Sequence, residues 1–348
     1  MRALTTLVLT LAFAFGATTA FGPAARADTG QDLAEQAGRA LIGQPAPRLK
    51  ITTLDGRTVD LGKLYGKKAV YLKFWATWCA PCREQMPHLE ATYRAAGSDL
   101  EVLAVDTGFA DSADKVRAYR QKLNLTVPMA VDDGRLAKAL NLRVTPQHVV
   151  IGRDGRILYV GHLADARLDA ALKTARAETG APDPRHPQAQ AAKVYRTGDL
   201  APALAPRTLD GPAFAMRDPA GARPTALVFF SPWCETYLAK TQPETGAACR
   251  EVRETMEAHA RGGGVRVLGV AMGLWATRDE LAGYRKTTAT QVPLTLDETG
   301  DLFRAFGVSG VPAVILLDAR GRIVKRVDGA SGLQAALAVV APRKPSPA

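Results

Sequence analysis

Apolar runs alternate with amphipathic stretches along residues 43–178. Ala69 to Trp75 and Leu100 to Val105 are nearly continuous apolar runs, and their length and composition are typical of strands buried on both faces. Cys79 to Ala96 and Ser112 to Leu123 follow these runs and carry apolar residues at helical spacing. The pattern therefore predicts strand, helix, strand and helix in that order.

A hairpin and a last helix are predicted at the end of this region. His148 to Gly152 and Ile157 to Val160 are short apolar runs, and residues 153–156 between them have the composition of a tight turn. Ala164 to Ala177 then has the pattern of a helix. Strands and helices that alternate and end in an antiparallel hairpin predict an α/β fold, with a mixed central sheet flanked by helices.

The later part of the chain repeats the landmarks of the earlier part. The matched landmarks are 43–47 with 198–202, 53–56 with 208–211, Trp78-Cys79 with Trp233-Cys234, and Thr145-Pro146 with Val311-Pro312. The first three pairs share an offset of 155 residues and the last pair has an offset of 166. Landmarks that recur in one order predict a tandem duplication, with an insertion in the second copy.

The insertion is predicted to lie between Cys234 and Cys249. An Arg-Glu pair follows both Cys82 and Cys249, which makes these two cysteines counterparts and residues 235–248 the inserted loop. A disulfide between Cys234 and Cys249 would close that loop. Such a bond would be structural, or redox-active with unusual kinetics; a degenerate module that only binds a partner is the third alternative. Electron relay between the two dithiols is a further hypothesis.

A second alignment of this region stays open. It pairs Cys82 with Tyr237 and makes the helix continuous, which would hold Cys249 about 22 Å from Cys234 at the helical rise per residue. Pro243 and Gly246 are unfavourable inside one continuous helix, so the insertion is the favoured interpretation.

The start of the chain is typical of a cleaved secretory signal peptide. Arg2 precedes an almost wholly apolar or small run from Ala3 to Phe21, and Ala25-Arg26-Ala27 has the small-x-small pattern of a cleavage site. An uncleaved membrane anchor is the alternative. Export predicts a periplasmic protein whose four cysteines lie in an oxidising compartment.

These features divide the chain into two domains and four flanking segments. The predicted divisions are a signal peptide (1–27), an N-terminal segment (28–42), a first domain (43–179), a linker (180–197), a second domain (198–341) and a tail (342–348). The formal charge is +11, but the basic residues are scattered and no basic-aromatic patch is present. We therefore predict no nucleic-acid partner.

Trp78 to Cys82 carries the chemistry of the chain. Its two cysteines are separated by two residues and lie where a predicted strand meets a predicted helix. The unpaired N–H groups and the positive end of the helix dipole stabilise a thiolate at the first cysteine, and the second lies one turn on. The spacing predicts a reversible dithiol. Half of a zinc site is the alternative, although no second pair of this spacing exists.

With these residues in place, the chain resembles the thioredoxin superfamily, and closely the TlpA/ResA-like exported thiol-disulfide oxidoreductases. The resemblance rests on residues 43–47, residues 74–84, Pro87 and Thr145-Pro146. It covers about residues 43–178 strongly and 198–341 less strongly. The resemblance implies two tandem thioredoxin-like domains.

The resemblance also implies roles for individual residues. Cys79 would be the attacking thiolate, and Cys82 would resolve the mixed disulfide. Pro146 would be a cis-proline that presents the backbone of Thr145 to an extended substrate segment. The substrate-binding residues implied in this way are Trp78, Pro81, Thr145 and Pro146. The expected activity is reduction of protein disulfides without a cofactor or metal, supplied with electrons by a membrane-bound thiol-disulfide donor.

Two positions depart from the family. Lys73 stands where thioredoxins often hold a buried aspartate, and Gln85 stands where TlpA/ResA-like proteins commonly carry a glutamate. Lys73 would either favour a thiolate or extend to solvent from an edge strand. Glu84 is a candidate substitute as proton relay. His148 would tune the dithiol, join a metal site or be an ordinary strand residue, and the direction of electron flow stays open.

Three other functions compete with this interpretation. The first is a protein that handles copper or zinc through Cys79, Cys82 and His148, because thiolates suit soft metals. The second is a non-catalytic binding protein. The third is a peroxidase of the peroxiredoxin type, which is disfavoured because Ala76 occupies the position where a Thr or Ser is expected.

Overall fold

The computed structural model describes residues 30–179, 181 and 193–340, here called the first half (30–179) and the second half (193–340). The predicted signal peptide, the predicted tail and most of the predicted linker lie outside the described residues. Within the described ranges, no helix has both the length and the apolar character needed to cross a membrane.

A five-stranded mixed sheet organises the first half. The elements of this half are α1 (Gly30–Gly38), β1 (Lys50–Thr52), β2 (Thr58–Asp60), α2 (Leu61–Leu64), β3 (Ala69–Trp75), α3 (Ala80–Glu84), α4 (Met86–Arg94), β4 (Leu100–Asp106), α5 (Ala113–Lys122), β5 (Met129–Val131), α6 (Arg135–Ala139), β6 (Gln147–Ile151), β7 (Ile157–Gly161) and α7 (Ala166–Ala177). The strand order is β5-β4-β3-β6-β7. Strands β3, β4 and β5 are parallel, and β6 and β7 are antiparallel to their neighbours.

The second half repeats this sheet with the same connectivity. Its elements are β8 (Thr225–Phe230), a π-helical turn (Cys234–Leu238), α8 (Ala239–Thr241), α9 (Pro243–Arg261), β9 (Arg266–Met272), α10 (Arg278–Thr288), β10 (Leu294–Asp297), α11 (Asp301–Ala305), β11 (Ala313–Leu317), β12 (Ile323–Asp328) and α12 (Leu333–Val340). The strand order β10-β9-β8-β11-β12 matches that of the first half. The predicted α/β class, with mixed sheets flanked by helices, is confirmed.

Strand β3 lies at the centre of the first sheet and is buried along its whole length. Its side chains alternate between two apolar clusters, with Tyr71 and Trp75 on one face and Leu72 and Phe74 on the other. The suggestion that Lys73 extends to solvent from an edge strand is therefore wrong, because β3 has a neighbouring strand on each side.

The helix predicted over Cys79 to Ala96 is two helices, α3 and α4, which meet at Gln85. Pro87 explains the break, since its ring removes a backbone N–H and clashes with the carbonyl of Arg83 in a continuous helix. Strand β5 and helix α6 lie outside the predicted pattern. They contain three and five residues, which is too short for periodicity to reveal them.

The two halves face each other through the loops that follow β3, β4, β8 and β9. The ring of Phe109, from the first half, packs within the apolar core of the second half. Backbone hydrogen bonds join the loops after β4 and β9 to the loops before β11 and β6: Ala110 N donates to Ser309 O at 2.6 Å, and Trp275 N donates to Arg143 O at 2.9 Å. An ion pair between Lys138 Nζ and Asp301 Oδ1, at 2.6 Å, lies at the rim.

Candidate active site

Cys79 and Cys82 lie at the start of α3, directly after β3 and a short loop. They are joined as a disulfide with a Cα–Cα distance of 5.2 Å. Cys79 occupies the N-cap position, and its Sγ accepts a hydrogen bond from Cys82 N at 3.2 Å. The sulfur thus replaces the oxygen of an ordinary capping side chain. In the reduced form, the same N–H group and the helix dipole favour the thiolate of Cys79.

The loop before β6 brings the other predicted site residues to this dithiol. Thr145 and Pro146 are joined by a cis peptide bond, and Thr145 O lies 3.4 Å from Cys79 Sγ. Trp78 flanks the first cysteine, and Pro81 lies in the first turn of α3. All six predicted site residues of the first half are therefore grouped around one disulfide.

A buried lysine lies directly behind the resolving cysteine. Lys73 is 0% exposed, and its Nζ donates a hydrogen bond to Cys82 O at 3.2 Å. Burial lowers the pKa of Lys73 to about 7, because a desolvated ammonium is unfavourable. A protonatable amine thus stands at the position where thioredoxins often hold an aspartate. Glu84, the candidate relay, is exposed on the other side of α3.

A chain of hydrogen bonds runs from β3 to the cis-proline loop. Tyr71 OH donates to His148 Nδ1 at 2.8 Å, and His148 Nε2 donates to Gln85 Oε1 at 2.8 Å. Gln85 Nε2 donates to His162 O at 3.3 Å, and His162 Nδ1 donates to Pro146 O at 2.7 Å. Gln85 is both acceptor and donor here. An ionised glutamate only accepts hydrogen bonds and could not supply the second bond.

The surroundings of the two histidines in this network disfavour their charged forms. Burial lowers the pKa of His148 well below its usual range, and the positive charge of Lys73 lowers it further. Burial also lowers the pKa of His162. Neutral histidines fit the hydrogen-bond pattern, in which His148 accepts at one ring nitrogen and donates at the other. His148 is therefore a member of a buried network behind the dithiol.

The described part of the chain shows no arranged set of metal ligands. No group of three or more His, Cys, Asp or Glu side chains there could hold a metal ion. Both ring nitrogens of His148 are already engaged by protein groups. The copper or zinc interpretation therefore gains no support from the geometry.

Several residues at the site were not found from the sequence. Asp111 accepts from Thr77 N at 2.7 Å and from Thr77 Oγ1 at 2.5 Å, and so holds the loop before Cys79. Tyr237 and Trp275 reach the site from the second half. Their approach depends on how the two halves pack, which no local pattern encodes.

The second half keeps the frame of the site but has valines in place of Lys73, His148 and Gln85. Cys234 and Cys249 are joined as a disulfide with a Cα–Cα distance of 6.4 Å, and both are buried. Residues 235–248, predicted as an inserted loop, are largely helical instead: they complete the π-helical turn, form α8 and begin α9. Val228 pairs with Val314 in the register where Lys73 pairs with His148. Val252 occupies the position of Gln85.

Comparison with known proteins identifies the first half. A model of the AhpC/TSA family matches residues 42–160. The thioredoxin-like protein YneN of Bacillus subtilis is 34% identical over 133 residues, which cover 37% of this chain and 78% of that protein. The thiol-disulfide oxidoreductase ResA of Bacillus anthracis is 31% identical over 136 residues, which cover 38% of this chain and 77% of that protein.

A solved structure gives a similar match in extent. It is the crystal structure of a thiol:disulfide interchange protein of the thioredoxin family from Chlorobium tepidum, 25% identical, with a TM-score of 0.35. The match covers 38% of this chain and 97% of that one. On the sequence relatives and the dithiol geometry together, the chain belongs to the thioredoxin-like family of thiol-disulfide oxidoreductases and is a redox enzyme of that family.

Proposed function

We propose that this protein reduces disulfides of protein substrates, with Cys79 as nucleophile and Cys82 as resolving thiol. The observation that carries the proposal is the position of Cys79 Sγ, which caps α3 and lies 3.4 Å from the carbonyl of Thr145. That carbonyl belongs to a backbone segment with which an extended substrate could pair. The sulfur and the docking backbone are thus adjacent.

The reaction runs in two exchanges. In the reduced enzyme, the Cys79 thiolate attacks one sulfur of a substrate disulfide, which forms a mixed disulfide and releases the other substrate sulfur as a thiolate. Cys82 then loses its proton and attacks Cys79 Sγ. The second substrate thiolate leaves, and the Cys79–Cys82 disulfide forms. Two electrons have passed to the substrate, whose two thiolates take up protons.

The network behind Cys82 supports the second exchange. Cys82 is 0% exposed, so its proton cannot pass directly to bulk water. Lys73 lies against the backbone of Cys82, and its neutral amine can accept a proton near neutral pH. A protonated Lys73 would in turn stabilise the Cys82 thiolate.

We also propose that the protein is exported and that its dithiol is reduced again after each reaction. The N-terminal sequence favours a cleaved signal peptide and a periplasmic location, where a membrane-bound thiol-disulfide donor would reduce the Cys79–Cys82 bond. The proposed domains are residues 43–179 and 198–341. Mass spectrometry of the exported protein should give an N-terminus at Asp28, and a retained Met1 would contradict cleavage.

The second disulfide is proposed to be structural. Cys234 and Cys249 are 1% and 5% exposed, and valines replace the polar groups found behind Cys82. This pair therefore lacks the buried amine proposed to take the proton of Cys82. The second half would then act by binding.

The test of the proposed function is the reduction potential of each cysteine pair. The mature protein is equilibrated in glutathione and dithiothreitol buffers, and trapped thiols are mapped for each pair. A potential of the first pair near or below about −250 mV indicates a reductant, and one near about −120 mV indicates an oxidant. Insulin reduction should be lost in Cys79→Ser, whereas Cys82→Ser should accumulate a mixed disulfide. A first pair that never titrates would contradict redox catalysis.

A further inference from the structure

The hydroxyl of Tyr237 bridges the two backbone groups that flank the nucleophile. Tyr237 OH donates to Trp78 O at 3.2 Å, and Ala80 N donates to the same hydroxyl at 3.4 Å. One side chain of the second half therefore bonds to the residues immediately before and after Cys79. Tyr237 follows Cys234 by three residues, the spacing at which the first half has its resolving cysteine.

Trp275 reaches the cis-proline loop of the first half from the second half. Its Nε1 donates to Thr145 Oγ1 at 3.1 Å, and its ring meets His162 edge-on at 5.4 Å between centroids. Its backbone has a φ of 55°, a left-handed conformation that is uncommon for a bulky side chain. Ala110, the counterpart in the first half, has a φ of 57° and carries only a methyl group. Of the two counterparts, the one with the large side chain is thus the one that bonds to Thr145 beside the dithiol.

Three aromatic rings close the remaining approach. Trp78 and Trp233 lie 5.5 Å apart between centroids, and Phe109 packs edge-on against both. Cys79 is left 3% exposed. A thiolate that attacks a disulfide on another protein needs more room than this, because the three sulfurs must align for the exchange.

We propose that the second half is a cap on the dithiol, and that Tyr237 and Trp275 determine which disulfides reach Cys79. This inference rests on the proposed function, since it deepens the specificity of that same site. The two side chains bond to the Trp78, Ala80 and Thr145 groups that border the attacking sulfur. A disulfide carried on a polypeptide reacts only after these contacts open. A small disulfide needs a smaller displacement of the cap. Its rate of reaction with Cys79 therefore differs less between the capped and the open form.

The experiment compares two substrates of reduced protein by stopped flow. Insulin is the polypeptide disulfide and glutathione disulfide is the small one. The cap variants are Tyr237→Phe, which removes one hydroxyl, and Trp275→Gly, which removes the ring at a backbone conformation that glycine adopts readily. Tyr284→Phe is the matched control, because Tyr284 OH bonds to Glu235 within the second half.

The double cap variant should raise the insulin rate constant about tenfold or more, as expected when the three hydrogen bonds that the side chains of Tyr237 and Trp275 make to the first half are lost. The glutathione rate constant should rise less than about threefold. Tyr284→Phe should change neither. Equal changes for both substrates, or no change for insulin, would overturn the cap.

A second readout separates the cap from the proposed function. Cys79 in reduced, full-length protein is alkylated with iodoacetamide and with a bulky maleimide. The cap variants should accelerate the maleimide reaction more than the iodoacetamide reaction, whether or not the protein reduces disulfides. An unchanged ratio of the two alkylation rates in the isosteric Tyr237→Phe variant and in the double variant would overturn the cap. Loss of Cys79-dependent exchange with glutathione disulfide in the wild type would instead contradict the proposed function.

Discussion

Lys73 places an amine in the central strand of the first sheet, where it is buried and lies opposite a buried histidine. Its amine is fully buried, and it faces the buried His148 across the β3–β6 pair. Burial of a charge is costly unless it is paired, so the group gives up its proton near neutral pH instead. The counterpart pair in the second half, Val228 and Val314, carries no such cost. The lysine is present in the half where the dithiol chemistry is proposed and is replaced by Val228 in the second half.

Replacement of Lys73 by methionine should stabilise the oxidised protein in a pH-dependent way. The pKa of Lys73 is about 7 in the fold and 10.5 in its ordinary range. Between these values the unfolded chain binds a proton that the folded chain lacks, so the wild-type free energy of unfolding rises with pH. The advantage of Lys73→Met should be greatest at pH 7 and below. It should shrink toward pH 10 by an amount on the order of 4 kcal/mol.

Urea denaturation at several pH values measures this difference. Lys122→Met, which removes an exposed lysine of α5, serves as the surface control. A stability difference between Lys73→Met and wild type that stays flat with pH would contradict a lowered pKa of Lys73 in the folded protein. Slower insulin reduction by Lys73→Met, with an unchanged first exchange, would support the role of the amine beside Cys82.

Residue chemistry was readable from the sequence where it follows from local spacing. The Cys79–Cys82 spacing and the Thr145-Pro146 landmark point to one site, and the structure groups them. The role of Gln85 could not be predicted from the sequence, because its two hydrogen bonds join it to groups that lie 63 and 77 positions away along the chain. Such a choice depends on which side chains the sheet brings together.

At the scale of elements, the inserted segment of the second half lengthens the stretch of chain that its disulfide closes. The disulfide between Cys234 and Cys249 spans 15 positions, whereas that between Cys79 and Cys82 spans three. Closing a loop of this length restricts the unfolded chain and stabilises the fold by about 2–4 kcal/mol. Pro243 begins α9 at its first turn, where a missing N–H costs no hydrogen bond.

Removal of the second disulfide should affect stability and leave redox chemistry intact. We expect Cys234→Ala/Cys249→Ala to lower the free energy of unfolding by about 2–4 kcal/mol. The potential of the Cys79–Cys82 pair should stay unchanged in the same glutathione buffers. A shifted first-pair potential would instead indicate electron exchange between the pairs, and would contradict a structural role.

Element boundaries followed from the sequence unevenly. Strand β3 was predicted to the residue, because a buried strand leaves an uninterrupted apolar run. The split between α3 and α4 was missed, although Pro87 signals it. Strand β5 is held at the edge of the sheet by pairing with β4, so its formation depends on tertiary contacts more than on its own three residues.

At the scale of the molecule, apolar burial dominates the contact between the halves. Phe109 is 5% exposed and packs in the core of the second half. The ion pair of Lys138 and Asp301 lies at the rim, where both side chains are about half exposed. Exposed pairs contribute little, typically up to about 1 kcal/mol, whereas a buried phenyl ring contributes several times more.

Truncation of Phe109 should therefore weaken the contact far more than loss of the rim ion pair. We expect Phe109→Ala to lower the free energy of unfolding by about 3 kcal/mol and Lys138→Ala by less than about 1 kcal/mol. Urea denaturation followed by tryptophan fluorescence measures both, and Phe109→Ala should also speed alkylation of Cys79. Equal effects of the two variants would mean that the halves are held by their charges.

The interface between the halves contains matched contacts, and this has a consequence for how the protein behaves in solution. Each half makes the same internal bond there: Trp78 donates its indole N–H to Phe109 O, and Trp233 donates its own to Leu274 O. The backbone bonds of Ala110 to Ser309 and of Trp275 to Arg143 correspond in the same way. Matched contacts of this kind are typical of a twofold-symmetric dimer, and here both partners belong to one chain. Because both partners share one chain, their effective concentration is set by the linker and does not fall on dilution. The dithiol should therefore stay covered at any protein concentration, and what uncovers it must act on the contacts themselves.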